Sequence, residues 1–132
     1  MSTRRERDRA QWRTLAAMAG EETRRLLDDL PEDLQQQAET LQVVFEDAPG
    51  PALCRAGVAA DTMGLFEGDA LDEELSSDGV LPRRIILFLD NILEQAEGDP
   101  DAFRAEVRDT LLHELGHYLG LDEDDLVDRG LE

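Results

Sequence analysis

The chain has 132 residues, a formal net charge of −19 from 13 basic and 32 acidic residues, and an apolar share of 41%. That length fits one domain with a modest core, and aromatics at 5% leave the core to Leu, Val, Ile and Ala. So acidic a surface repels phosphate backbones and excludes nucleic acid as the expected partner.

The charge is uneven. Residues 1–13 hold five arginines against Glu6 and Asp8, a net of +3, which leaves −22 for the remainder. No window approaches the roughly 18 apolar residues that a membrane span needs. The apolar stretch at Thr14 to Gly20 is too short for a signal peptide and runs into Glu21 and Glu22. A single cysteine, Cys54, excludes an internal disulfide and fits a reducing compartment, so a cytoplasmic location is expected. Cys54 itself reads as a small buried apolar residue.

In chain order, residues 1–20 read as an N-terminal arm, charged and then small and apolar. Trp12, Leu15 and Met18 recur at helical spacing and suggest a loosely docked helix. The domain proper is expected over residues 21–132. Glu21 to Leu30 continues as helix, and Pro31-Glu32-Asp33 opens a second short one running to about Glu39. Leu41 to Glu46 is strand-like and is stopped by Ala48-Pro49-Gly50-Pro51. Ala52 to Met63 shows no clear period.

Gly64 to Gly68 reads as a short strand, Asp69 to Leu81 as a polar loop, and Arg84 to Leu89 as a strand apolar nearly throughout and hence central. Asp90 to Glu97 suggests a short helix that Asp90 or Asn91 can cap. Asp99 and Pro100 open a long helix to Leu119, with Phe103, Val107 and Leu111 as its apolar ladder. Asp122 to Arg129 forms a last short helix, closed by Gly130.

The long helix carries H-E-x-x-H at His113, Glu114 and His117, and these are the only two histidines in the chain. At about 100° per residue, the two imidazoles lie roughly 40° apart on one face, one turn along, with Glu114 about 60° from His117. Leu111, Leu112, Leu115 and Leu119 take the other side. Two imidazoles so placed suit Zn²⁺, and a neighbouring carboxylate can take a proton from a metal-activated water. A catalytic zinc needs a third protein ligand, which must be a carboxylate or Cys54. Gly120 can reverse the chain in a left-handed conformation, and Asp122, Glu123, Asp124 and Asp125 follow at once.

The stretch H-E-x-x-H-x-x-G-x-x-E resembles the metzincin pattern, in which the last position is the third ligand, usually His or Asp. The resemblance implies Glu123 as that ligand, with Asp122 and Asp125 as alternatives. More widely, Leu30 to Leu34, Leu41 to Pro49, Gly64 to Gly68, Leu81 to Phe88 and the tail from His113 resemble the minimal zincin-like metallopeptidases of bacteria.

That resemblance implies an α+β fold, a small sheet of about three strands packed on a long active-site helix. It also implies hydrolysis of peptide bonds with one Zn²⁺ ion, His113, His117 and Glu123 as ligands and Glu114 as general base. A peptide or protein is then the substrate, with neither nucleic acid nor membrane as partner. The alternative is a metal-binding zincin-like module with little peptidase activity. Tyr118, Arg83 and Arg84 are candidate oxyanion donors, although Tyr118 reads better as packing. Asp109 could orient an imidazole, or be a solvated helix acid. In zincins generally an edge strand lies above the active-site helix and pairs with extended substrate; Gly64 to Gly68 or Ile85 to Leu89 could play that part.

Overall fold

A long stripe of buried positions organises the N-terminal third. In the computed structural model, which describes residues 4–68 and 83–131, helix α1 runs unbroken from Arg4 to Asp29. Leu15, Ala19, Glu22 and Leu26 are buried along it, with Leu30 just beyond and Trp12 partly buried before. Steps of three and four residues put all of them on one face. Residue 20, where the sequence suggests a division between arm and domain, therefore lies inside the helix.

The stripe packs against the long helix α5, Pro100–Leu119. Glu22 is the one charge in it, and Arg104 of α5 answers it at 3.2 Å while also binding Glu21 at 2.9 Å. A buried carboxylate is tolerated where a guanidinium reaches it.

Helix α2, Glu32–Gln37, follows Pro31, which stands at its N-cap, and buries Leu34. Strand β1, Gln42–Glu46, leads to a short helix α3, Pro51–Arg55, in the stretch whose sequence shows no period. Pro51 opens α3 at a position where its missing N–H costs nothing. Cys54 on α3 is exposed, contrary to the buried role expected from its residue type; its thiol faces the Pro49 carbonyl at 3.7 Å.

Strands β2, Gly64–Glu67, and β3, Arg84–Phe88, complete the sheet in the order β1-β3-β2. β1 is parallel to β3 and β2 antiparallel to it. The central place of β3 explains its unbroken apolar run, since Ile85, Ile86, Leu87 and Phe88 are all at most 1% exposed. It also removes Ile85 to Leu89 as a candidate edge. The polar loop expected over Asp69 to Leu81 lies outside the described residues.

Helix α4, Leu89–Gln95, starts straight out of β3 with no side-chain cap. Asn91 does not cap it. Its amide instead donates to the carbonyls of Ala60 (2.9 Å) and Thr62 (2.8 Å), pinning the loop before β2. α5 begins as its sequence dictates: Asp99 accepts from the Ala102 N–H at 2.8 Å and Pro100 takes the first turn. Phe103, Val107 and Leu111 are fully buried, and the face of the sheet carrying Ile85 and Leu87 joins them in one core. Helix α6, Glu123–Asp128, closes the fold and buries Leu126.

Candidate metal centre

The C-terminal turns of α5 separate apolar from polar side chains as the leucine spacing requires. Leu111, Leu112, Leu115 and Tyr118 are buried, whereas His113 and His117 are exposed. The two rings stand 4.9 Å apart between centroids, tilted by 58°. Glu114 is set deeper, its side chain 12% exposed, with Oε2 3.5 Å from His117 Nδ1. That is an electrostatic contact rather than a hydrogen bond.

The helix ends at Gly120 with φ 73° and ψ 25°, a left-handed conformation that glycine adopts without strain. Leu121 N–H donates to the Gly116 carbonyl at 2.8 Å and Gly120 N–H to that of His117 at 3.3 Å, which is the Schellman pattern. The chain so reversed starts α6 beside the histidines. Asp122 accepts from the Asp125 N–H at 2.8 Å, and Asp125 accepts in return from the Asp122 N–H at 3.0 Å. Arg129 at the far end of α6 grips both carboxylate oxygens of Asp33, at 2.8 and 2.9 Å. A cleft of about 390 Å³ lies between the helices, with His113, His117, Asp122 and Glu123 on its polar side and Leu121 and Leu126 on its apolar side.

Glu123 thus reaches the same cleft as the imidazoles. It makes no hydrogen bond or ion pair among the described residues, unlike Asp122 and Asp125. As the side chains lie, no three His, Cys, Asp or Glu groups among the described residues form a ready ligand set. The donors nevertheless suit zinc: two imidazoles a turn apart and an uncommitted carboxylate across one small cleft. Cys54, on α3, is not among the residues lining that cleft.

Above Glu114 runs β2. The Phe88 N–H donates to the Met63 carbonyl at 2.9 Å, which fixes the alternation of the antiparallel ladder. By that alternation the backbone groups of Met63, Leu65 and Glu67 point to β3, and those of Gly64 and Phe66 point to the other side of β2, where no strand pairs among the described residues. Phe66 packs on Tyr118 with ring centroids 5.7 Å apart.

Of the candidate oxyanion donors, Tyr118 is 1% exposed and donates its hydroxyl to the Gln37 carbonyl at 2.9 Å, so it serves packing. Arg84 is bound to Glu67 at 2.6 Å. Asp109 is exposed. Sequence reasoning put Gly64 on a candidate edge strand but missed its close approach to Thr110 and Glu114 of α5, and it took Asn91 for a cap. A glycine opening a strand is the one signal it offered, because such a glycine often marks a close backbone approach.

A family profile described as zincin-like metallopeptidase matches residues 38–131, well over half of the chain. The chain belongs to the zincin-like metallopeptidase family. The match takes in the whole sheet, α5 and α6, while α1 and α2 precede it. No curated protein matches the chain. The α+β architecture of the zincin-like chain, a three-stranded sheet on a long helix, is the one its sequence resemblance implied. No helix among its described residues is long and apolar enough to cross a membrane.

Proposed function

We propose that this zincin-like chain is a zinc-dependent peptidase, with His113, His117 and Glu123 holding one ion and Glu114 acting as general base. One observation supports the reading: the only two histidines of the chain meet on the exposed face of α5, beside a sequestered carboxylate that lies under β2, an edge strand among the described residues. When bound, zinc supplies a Lewis acid that polarises a carbonyl and acidifies water.

The remaining work falls to the chain. The outward backbone groups of Gly64 and Phe66 bind an extended peptide as an added strand. Glu114 accepts the proton of the attacking water at a carboxylate oxygen and passes it to the leaving amine. Its shielded position between β2 and His117 limits competition from bulk water. Glu123 completes the ligand set because Asp122 and Asp125 are occupied with each other and Asp124 does not line the cleft. A polypeptide is therefore the substrate class.

The test is Glu114→Gln in the zinc-loaded protein, assayed on a mixed peptide library. The variant should retain stoichiometric zinc and lose cleavage. Equal cleavage by wild type and variant would refute Glu114 as the base.

A further inference from the structure

Gly64 opens β2 above the α5 turn that carries Thr110 and Glu114. An ideal Cβ built on Gly64 would stand 2.6 Å from Thr110 Cγ2 and 3.2 Å from Glu114 Cγ, with Leu87 Cδ2 at an ordinary 3.6 Å. The first distance is one that real side chains do not adopt, and the second is tighter than normal contact. Gly64 lies in extended strand and is not among the positive-φ glycines, so its backbone conformation is open to any residue. What glycine contributes here is a close approach of strand to helix.

The strand has little freedom to rise. Asn91 holds Ala60 and Thr62 just before it, and Met63 accepts from the Phe88 N–H. The helix below is fixed by the core. Glu114 is caught between: its stem borders the space that a Gly64 side chain would fill, and its carboxylate comes within 3.5 Å of His117.

We propose that Gly64 is a positioning residue, whose missing side chain sets the height of β2 over Glu114. This rests on the reading of Glu114 as base. The backbone groups of Gly64 also point away from β3, to the side of β2 left unpaired among the described residues, so one contact fixes both the base and the strand on which a peptide is laid. A methyl group at position 64 must displace Thr110 Cγ2 or lift the strand, and it also presses on the Glu114 stem; a displacement of about 1 Å at a catalytic group can cost about a hundredfold in rate.

The test places Gly64→Ala in three backgrounds of the full chain: wild type, Thr110→Ser and Glu114→Ala. Thermal unfolding in chelator should show a lower midpoint in the wild-type background, and a smaller loss in each of the other two, where the opposing atom is gone. Equal losses in all three would overturn the contact. Should Gly64→Ala fail to fold, recovery in the two relieved backgrounds carries the same meaning, and failure in all three overturns it.

With zinc, and unfolded casein as probe, Gly64→Ala should turn over about 10- to 100-fold more slowly. Its zinc retention against a chelator should stay within about twofold, since neither histidine is touched. Thr110→Ser should restore part of the rate. Unchanged turnover in Gly64→Ala would overturn the positioning role. If wild type shows no Glu114-dependent cleavage, the catalytic half of the proposal falls with the peptidase reading, while the thermal comparison still decides the contact.

Discussion

Asp122 and Asp125 occupy one another: each carboxylate accepts the other's backbone N–H, at 2.8 and 3.0 Å, across the first turn of α6. Glu123 stands between them in sequence, lines the histidine cleft and is left uncommitted. Three acids that look interchangeable in the sequence are thereby divided into two that build the helix start and one whose side chain has no partner among the described residues, the one proposed to bind the cation. Asp122→Asn keeps a capping oxygen and should keep zinc. Glu123→Gln should weaken zinc by more than the roughly 10- to 100-fold typical of losing a supporting hydrogen bond. Asp122→Ala should cost about 0.5–2 kcal/mol of stability through the lost cap. Chelator competition and urea unfolding measure the two effects separately.

The first half of α1 should matter to stability. Leu15 is 6% exposed and sits in the core with Ala19. Leu15→Ala should cost about 2–5 kcal/mol, as other buried leucines do. Urea unfolding checks this, and a change within error would mean that residues 1–20 are a peripheral arm.

Asp33 and Arg129 predict an acid-sensitive contact. The hydrogen bond from Arg129 holds the Asp33 carboxyl below its ordinary value, opposed by desolvation and aided by the guanidinium charge. A lowered carboxyl contributes stability that is present above its unfolded value of about 3.9 and lost as pH falls through the lower folded value. Arg129→Ala should therefore lower the unfolding midpoint modestly at neutral pH and make no difference in strong acid. The pair is exposed, so added salt should shrink the neutral-pH effect.

Asp90 has the opposite sign. Burial, and then the like charges of Asp47 and Asp8, push its carboxyl above the ordinary value. The folded state then holds the proton longer than the unfolded state, and stability falls as pH rises through that interval. Asp90→Asn should raise the midpoint at neutral pH and give no gain below the unfolded value of about 3.9. A gain of equal size at pH 3 would show that the ionisation of Asp90, and with it burial and the charges of Asp47 and Asp8, is not the cause.

Local signals in the sequence were enough to define α5, because its start and stop rest on neighbours in the chain: Asp99 caps Ala102, Pro100 takes the first turn and Gly120 adopts the left-handed turn. The same holds for β3, whose buried run needs no partner to be recognised. The continuity of α1 was harder to read because its buried stripe includes Ala19 and Glu22, and the pairing of Glu22 with Arg104 spans 82 residues. Asn91 looked like a cap because capping is the local use of its amide, whereas its partners here are 29 and 31 residues away. At the candidate site, the shared exposed face of His113 and His117 was readable from their spacing alone. The separation of Glu123 from Asp122 and Asp125, and the seat of Gly64 on Glu114, depend on contacts that a linear pattern does not encode.

The most direct measurement is anomalous diffraction at the zinc edge from crystals grown with zinc. The account predicts one peak, about 2.0–2.1 Å from a nitrogen of each of His113 and His117 and about 2.0–2.2 Å from a carboxylate oxygen of Glu123. A zinc bound elsewhere with the two rings turned apart, or one completed by Asp122 or Asp125 in place of Glu123, would contradict it.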